Sequence, residues 1–208
     1  MKKLNQFITE YIVKKKLDKP IDSEYLYHPE DKRELIRNIS ELFKKGETNL
    51  NCIDTSNVTD MSNLFYYEKS KNINFDISDW DVSKVKYMQY MFHGLKNFNC
   101  DLSKWDVSNV TNMIGMFEGC QNFIGTGLEN WDVSNVTSME YLFVDCYEFN
   151  SDISNWDVSK VENIDGMFYN CKNFNCDLNK WNVKNVKYMN ETFGNCKSLK
   201  NKPIWYKE

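Results

Sequence analysis

The chain of 208 residues lacks any hydrophobic run of the ~18–20 residues that a membrane-spanning helix needs. Near its start, in MKKLNQFITEYIVKKK, the apolar residues are interrupted by Asn5, Gln6, Thr9 and Glu10, and no small-residue cleavage site follows. We therefore expect a cytoplasmic protein with no membrane partner. A secreted or surface protein is the less favoured alternative.

Residues that commonly carry catalysis are scarce. The chain has two histidines, His28 and His93, and neither belongs to a recognisable nucleophile and base arrangement. Glycine-rich phosphate loops and the H-E-x-x-H zinc motif do not occur in the sequence. The sequence therefore predicts a protein that is not an enzyme and that needs no cofactor.

Positive charge is limited as well. The net charge is −4, and residues 51–208 carry 15 Lys and Arg against 21 Asp and Glu. A nucleic-acid-binding protein usually presents a basic patch or stripe, which this balance does not provide. We expect no nucleic-acid partner, and the acidic balance favours another protein, one with a basic surface.

What the sequence does contain is an internal repeat. The string WDVSNVT stands at 105–111 and again at 131–137, WDVSKV stands at 80–85 and 156–161, and WNVKNV stands at 181–186. The repeats begin about 25 residues apart, with steps of 27, 25, 26, 25 and 25. Their first residues are Ile53, Trp80, Trp105, Trp131, Trp156 and Trp181. One structural unit is therefore copied about six times.

The local spacing suggests what each unit contains. Leu102-x-x-Trp105-x-Val107 has apolar residues at period two, which is typical of a short strand with one buried face. The spacing from Met113 to Cys120 suits one or two helical turns. Units of this size cannot bury a core alone, so the sequence predicts an α/β repeat solenoid of about six 25-residue coils with a parallel sheet on one side.

Both ends of the repeat region are expected to be covered, giving one folded unit in three parts. Residues 1–49 form an amino-terminal helical cap, with one helix over 4–12 and a second that begins at Pro29 and stops at Gly46. Residues 50–200 form the solenoid, and 201–208 form a capping strand and tail. In the third repeat, Gly125 and Gly127 predict a bulge.

The longer string WDVSNVTNM, followed by MF, C and F, resembles the BspA-type leucine-rich-repeat family of bacteria and their phages. The resemblance covers about residues 50–200 and implies a leucine-rich-repeat-like solenoid whose relatives are surface and interaction proteins of mostly unknown role. Asn109 falls one position early for the asparagine ladder of leucine-rich repeats, so we do not expect the hydrogen bonds of that ladder.

Stacking would align equivalent residues into columns. The first column holds carboxylates that would lie about 4.8 Å apart and would repel one another by ~1 kcal/mol in water. We expect each one to accept hydrogen bonds from the turn that follows it. A cation site or a recognition surface for a basic partner are the alternatives. The column is Asp81, Asp106, Asp132, Asp157 and Asn182, preceded by Asp54.

The cysteine and tryptophan columns are predicted to be core. Seven cysteines without a C-x₂-C pair favour reduced, buried thiols over zinc ligands, so we expect no metal. The tryptophans occupy the inward leucine position of the predicted strand, which favours a core spine over a stacking platform for a ligand. The cysteines are Cys120, Cys146, Cys171 and Cys196, and the tryptophans are Trp80, Trp105, Trp131, Trp156 and Trp181.

The predicted function is a non-enzymatic scaffold that binds another protein through the polar, acidic face of the sheet. Two alternatives stay open: a phage or mobile-element inhibitor of a host defence protein such as a nuclease, acting through acidic mimicry, and a surface adhesin or coat protein. The oligomeric state is left open. The candidate surface consists of Asp79, Asp81, Lys104, Asp106, Asn130, Asp132, Asn155, Asp157, Lys180 and Asn182.

Overall fold

A computed structural model gives the fold over residues 25–66 and 72–207. Within these ranges the helices are α1, Lys32–Lys44, and a three-residue 3₁₀ helix, Leu128–Asn130. Most of the remaining chain consists of tight turns. The helix predicted over 4–12 lies outside the described residues, and so do residues 67–71 of the insertion after the first repeat.

Helix α1 confirms the second predicted cap helix, with a slightly later start. Asp31 is the N-cap, and its Oδ1 accepts the backbone N–H of Glu34 at 2.9 Å. The Glu34 carboxylate in turn accepts the N–H of Glu30 at 3.1 Å. Gly46 follows the helix with φ of +79°, as expected for a glycine that ends a helix. The helix buries Leu35, Asn38, Ile39 and Leu42.

The predicted α/β solenoid with a parallel sheet is wrong. Across residues 25–66 and 72–207, neighbouring repeats are joined by isolated parallel bridges that are one residue wide, and no strand is formed. The longest series of bridges links the same position of six repeats. Its members are Asp60, Tyr87, Asn112, Ser138, Asn163 and Tyr188.

The segment that resembles a leucine-rich-repeat strand is a pair of tight turns. The backbone N–H of Trp105 donates to Leu102 O at 3.1 Å, and that of Val110 donates to Val107 O at 2.9 Å. An aspartate precedes each turn, and its carboxylate accepts the N–H two residues further on. Trp105 and Val107 both point inward because they stand at the junction of two turns. Their period-two spacing is the same as that of a strand.

The predicted helical turns over Met113–Cys120 are also separate tight turns. The N–H of Cys120 donates to Phe117 O, three residues back, at 2.9 Å. Gly115 and Gly119 have φ of +56° and +77°, in the left-handed region, which interrupts a right-handed helix. The methionines and phenylalanines therefore reach the core from a winding chain rather than from one face of a helix.

Hydrogen bonds between repeats hold these turns together in a stack. The N–H groups of residues 113, 115, 117 and 119 donate to the carbonyls of residues 138, 140, 142 and 144, over 2.7–3.2 Å. The same four bonds recur one repeat later, from residues 139, 141, 143 and 145 to residues 163, 165, 167 and 169. Each repeat thus uses the next one to satisfy its backbone polar groups.

Aromatic side chains fill the interior of the stack. Within one repeat the rings of Phe117 and Phe123 stack at 4.3 Å between centroids, and Phe117 stacks on Phe143 of the next repeat at 5.7 Å. All three are fully buried. Each such side chain contributes roughly 1.5–3 kcal/mol through burial, and each ring pair adds about 0.5–1.5 kcal/mol.

The tryptophan column is part of this core, as predicted, and it also carries a hydrogen bond between repeats. The five tryptophans from Trp80 to Trp181 are at most 5% exposed. Each indole Nε1 donates at 2.8–3.2 Å to a backbone carbonyl 28 to 30 residues earlier in the chain. Trp131, for example, donates to Leu102 O, which also accepts the N–H that closes the turn at Trp105. One residue type therefore fills the core and fixes the register of the stack.

The irregular third repeat confirms one prediction, and the carboxyl-terminal residues correct another. Gly125 and Gly127 have φ of +88° and +92°, so the predicted bulge is confirmed. A Cβ on Gly127 would lie 2.2 Å from the Ser103 nitrogen, so a side chain has no room there. The predicted capping strand over 201–208 is wrong as far as residue 207. The N–H of Tyr206 closes a turn onto Pro203 O at 3.0 Å.

We expect Trp131→Phe to lower the free energy of unfolding by about 1–3 kcal/mol, because it removes one hydrogen bond and some core volume. Leu102 O keeps its turn partner, so no buried acceptor is left unpaired. Trp131→Ala is expected to cost about 3–5 kcal/mol. Urea unfolding followed by circular dichroism measures both. The exposed Asn155→Ala variant serves as the control, and a Trp131→Phe protein as stable as the wild type would contradict this account.

Candidate functional site

The predicted aspartate column lies on the surface, and its carboxylates cap their own turns. Each accepts the backbone N–H of the serine two residues further on, at 2.9–3.0 Å. At the sixth repeat the amide oxygen of Asn182 accepts the N–H of Lys184 at 3.4 Å. The expected turn-forming role is therefore confirmed. The column is exposed at Asp81, Asp106, Asp132, Asp157 and Asn182.

These hydrogen bonds favour the ionised carboxylates. Hydrogen bonds from Ser134, through its side chain and its backbone N–H, hold the pKa of Asp132 below its usual value. Ser159 lowers the pKa of Asp157 in the same way. Asp152, in a second turn-capping column, has a pKa lowered by Ser154. The carboxylates thus stabilise the stack in their charged form.

The other residues of the predicted binding surface are exposed and mixed in charge. Asp79 and Lys104 form an ion pair between neighbouring repeats. Asn130 ends the 3₁₀ helix, and Asn155 and Lys180 point to solvent. No sheet underlies these residues, because the segments that carry them are turns. Their use by a partner stays a prediction.

An asparagine ladder does run along the stack, although the spacing of Asn109 had not led us to expect one. The Nδ2 of Asn109 donates to Ser83 O at 2.7 Å, and that of Asn135 donates to Ser108 O at 2.8 Å. Lys160 takes the equivalent position in the fifth repeat and donates to Asn135 Oδ1 at 2.6 Å. The recurrence of Asn four residues after the tryptophan is the sequence signal that would have identified this ladder.

The cysteine column is buried, as predicted, in its first three members. The thiols of Cys120, Cys146 and Cys171 donate to phenylalanine carbonyls of the preceding repeat at 2.9–3.2 Å. Burial raises the pKa of Cys146 and Cys171 well above the usual value, and it raises that of the half-buried Cys196 to about 12. All seven cysteines are free thiols. In the described ranges, no group of three or more potential metal ligands converges.

A second surface, which sequence reasoning missed, carries most of the exposed aromatic side chains. It comprises the outward residues 7 to 14 positions after the start of each repeat, and we call it the tyrosine face. Its segments are 60–66, 87–94, 112–119, 138–145, 163–170 and 188–195. Its exposed tyrosines are Tyr66, Tyr87, Tyr141, Tyr169 and Tyr188, each between 36% and 55% exposed.

The tyrosine face is tightly built. Tyr90 and Tyr141 have φ of +55° and +57°, so both occupy the left-handed region that is rare for large residues. In the following repeat the equivalent residue is a glycine, and the tyrosine ring covers it. A Cβ on Gly115 would lie 2.3 Å from Tyr90 Cε1, and one on Gly166 would lie 2.7 Å from Tyr141 Cδ1. Tyrosine and glycine therefore alternate along this column because of the space that the ring requires.

Carboxylates surround these tyrosines, and amide groups hold several of them. Asn163 Nδ2 donates to Glu140 Oε2 at 3.1 Å. Asn190 donates to Asp165 Oδ1 through its backbone N–H at 2.6 Å and its side chain at 3.0 Å. Neutral amides orient a carboxylate without cancelling its charge. The nearby charge of Glu140 accordingly raises the pKa of Tyr141.

The segments of the tyrosine face contain no lysine and no arginine. They hold six carboxylates, of which Asp60 pairs with Lys32 of α1 at 2.7 Å. His93 Nδ1 lies 3.3 Å from Glu118 Oε2 but is not aligned for a hydrogen bond, and this buried nitrogen has no other partner among the described atoms. Apart from Asp60 and Glu118, the other four carboxylates of the tyrosine face have no ion pair with a described lysine or arginine. They are Glu140, Asp145, Asp165 and Glu191.

Comparison with known proteins identifies the family. The model for the family described as "Mycoplasma protein of unknown function, DUF285" matches residues 35–126 and again 102–206. The two matches span most of the chain, which therefore belongs to this repeat family of unknown function. No curated protein and no solved structure matches it. None of the helices within 25–66 and 72–207 has the length and apolar character that crossing a bilayer requires.

The turn-capping carboxylates predict an acid-sensitive stack. Because the folded pKa values of Asp132, Asp152 and Asp157 are lowered, their stabilisation is present above the ordinary carboxyl pKa of about 4 and is lost as the pH falls through the folded values. Changing all three to Asn keeps the turn acceptor, as Asn182 does. We expect the triple variant to lose less stability than the wild type between about pH 5 and pH 2.

Urea unfolding at each pH measures this difference. The reciprocal variant Asn182→Asp is expected to steepen the dependence on acid, since it adds a carboxylate at the same position of the sixth repeat. Equal acid slopes for the wild type and the triple variant would show that these hydrogen bonds do not favour the charged form.

Because the Tyr90 ring packs on Gly115, we expect alanine substitutions at Gly115 and at Gly46 to differ in their effect on stability. Gly115→Ala and Gly46→Ala both place alanine at positive φ, which costs about 1 kcal/mol. A Cβ at Gly46 meets nothing within 4 Å, whereas one at Gly115 meets the Tyr90 ring. We expect Gly115→Ala to lower the free energy of unfolding by about 1–3 kcal/mol more than Gly46→Ala does.

A double variant separates the contribution of the ring. Tyr90→Ala combined with Gly115→Ala should recover part of that excess loss, because the clash is removed. Thermal or urea unfolding of the wild type, the two single variants and the double variant gives the coupling free energy between Tyr90 and Gly115. Strictly additive effects would indicate that the ring moves aside freely and that this column is not rigid.

Proposed function

We propose that this protein is a non-enzymatic scaffold that binds another protein. The observation that supports the proposal is a contrast between columns. Twelve positions after the start of each repeat, all six repeats have a buried phenylalanine. At the next, outward position the residue differs in almost every repeat: Tyr66, His93, Glu118, Val144, Tyr169 and Gly194.

This contrast favours recognition over a purely architectural role. A repeated core fixes the backbone, so each outward side chain is held at a defined place without any need for the same residue to recur. Hydrogen bonds between repeats and the stacked rings make that framework rigid. A pre-ordered surface loses little conformational entropy when it binds a partner.

The shape of the surface agrees with a protein partner rather than a small molecule. Two depressions, one beside Thr137 and Lys160 and one beside Asp152 and Cys176, are both wide open to solvent. Small-molecule sites usually enclose most of their ligand. A long side of the stack offers instead the extended area that a protein interface of standard size requires.

The type of family member, the cellular location and two alternative functions are further proposals, each with its own support. The WDVSNVTNM string favours a BspA-type member of the family. The free thiols favour a cytoplasmic location, which cell fractionation tests. An inhibitor that mimics nucleic acid would draw its support from the acidic repeats, and an adhesin would have to be found at the cell surface.

Affinity capture with the tagged full-length chain tests the scaffold proposal. Lysates of cells that carry the gene, and of cells they live with, are used at low and high salt. We expect one partner in stoichiometric amount, which then forms a defined complex when both proteins are purified, measured by calorimetry. Failure to reconstitute any captured protein as a complex would overturn the scaffold function.

The aspartate column is tested in the same reconstituted complex. Changing Asp81, Asp106, Asp132 and Asp157 to Asn retains the turn acceptors and removes four charges. If the predicted acidic column is the contact, the affinity falls at least roughly tenfold at low salt and less at high salt. An unchanged affinity would exclude the column as the binding surface.

A further inference from the structure

We propose that the tyrosine face binds an arginine-rich segment of a partner protein, lying along the stack. This inference rests on the scaffold function proposed above and specifies the surface and the chemistry of the partner. It differs from the aspartate column, whose carboxylates already cap turns.

The first step is the concentration of exposed aromatic area. Among the described residues, nine large hydrophobic side chains are exposed, and five of them are tyrosines of this face. The other four are scattered over the remaining surface: Leu26, Ile73, Ile124 and Ile204. Tyrosine is enriched where proteins meet, because it offers a large area with few rotatable bonds.

The second step is charge. Glu140, Asp145, Asp165 and Glu191 form no ion pair with a lysine or arginine of residues 25–66 and 72–207. Asn170 Nδ2 contacts Asp145 Oδ1 at 2.5 Å, and Asn190 contacts Asp165, so two of these groups are held in place by neutral donors. The face is thus a fixed array of uncompensated negative charge. A partner must be positively charged to complement it.

The third step selects arginine over lysine. A guanidinium group stacks on a tyrosine ring and also donates two parallel hydrogen bonds to a carboxylate. Here rings and carboxylates are close neighbours. A Cβ on Gly194 would lie 2.5 Å from Glu191 Oε2 and 2.6 Å from Tyr169 Cδ2, so both side chains converge there. A lysine side chain would complement the negative charge but would not combine planar stacking with two parallel hydrogen bonds.

The fourth step gives the length of the segment. From Tyr87 to Tyr188 the face spans four repeat steps of about 4.8 Å each, or roughly 19 Å. An extended chain covers about 3.3 Å per residue, so a segment of about six to eight residues matches the face. Longer partners would extend beyond it at either end.

The test uses fluorescein-labelled octamers of arginine, lysine and glutamate, with binding to the full-length chain measured by fluorescence anisotropy at about 50 mM and about 300 mM salt. We expect octa-arginine to bind more tightly than octa-lysine, octa-glutamate not to bind, and the affinity for octa-arginine to fall at the higher salt. Equal affinities for arginine and lysine would overturn the role of the tyrosines.

Matched variants separate the two surfaces. Glu140→Gln, Asp165→Asn and Glu191→Gln together should weaken octa-arginine binding roughly tenfold or more. Asp81→Asn, Asp106→Asn and Asp132→Asn remove the same charge from the aspartate column and should change it less than about twofold. Equal losses in both variants would mean that only net charge matters, which overturns the proposal.

The tyrosines are replaced by a residue that the chain itself uses in the same columns. Tyr87→Asn and Tyr188→Asn copy Asn112 and Asn163, and Tyr141→Asn copies Asn63, which has φ of +54°. This variant should remove the preference for arginine over lysine. Ile124→Asn, which copies Asn99 and Asn150 elsewhere on the stack, should leave the preference unchanged. Thermal unfolding verifies that both variants are folded.

The reconstituted complex distinguishes this inference from the scaffold function. If a captured partner binds the Glu140, Asp165 and Glu191 variant as tightly as the wild type, the tyrosine face is not the contact and the scaffold function stands. If no captured protein forms a complex, the scaffold function fails and this inference fails with it.

Discussion

Each repeat of this chain leaves backbone N–H and C=O groups that only the neighbouring repeat can bond. A 25-residue unit made of tight turns closes a few hydrogen bonds within itself, such as that from Val110 to Val107. The N–H groups at 113, 115, 117 and 119 point along the stack instead and reach the next repeat. Because an unpaired buried backbone group costs about as much as a lost hydrogen bond, no repeat is stable alone. The stacked rings and the indole hydrogen bonds both require neighbouring repeats to be aligned by these backbone hydrogen bonds.

The features that the sequence predicts well are those that depend on this periodicity. The tryptophan, valine and phenylalanine positions were predictable as core because large apolar residues recur there at the same step, which indicates burial whatever path the backbone takes. The turn-capping aspartates were predictable for a different reason, since Asp followed by Ser two residues later is a local motif. Helix α1 was predictable from its apolar stripe and from the Gly46 that ends it, whereas its N-cap, Asp31, had been placed inside the first turn. None of these predictions required knowledge of the path that the backbone takes within and between repeats.

The sheet was mispredicted and the tyrosine face was missed because both depend on that path. Two consecutive turns bring Trp105 and Val107 inward with the same spacing as a strand, so the apolar pattern does not separate the two conformations. The direction of Tyr90 and Tyr141 follows from their positive φ values, and no residue preference indicates that a tyrosine will adopt them. The sequence contains only an indirect signal of the tyrosine face. A glycine alternates with tyrosine at one position of successive repeats, and lysine is missing from eight consecutive positions in all of them.

The uncompensated carboxylates also affect stability. Charges in adjacent repeats, such as Glu140 and Asp165, repel each other by about 1 kcal/mol at 4 Å in water and by more where water is partly excluded. Hydrogen bonds from Asn163 and Asn190 offset this repulsion but do not remove it, since the amides are neutral. A turn-built stack would be more stable with lysines interspersed on this side, as Lys187 pairs with Glu162 at 2.7 Å elsewhere. A cationic partner would supply the missing charge and would therefore stabilise the fold on binding. Stabilisation by a cationic complement is therefore what the proposed binding role would produce at this surface.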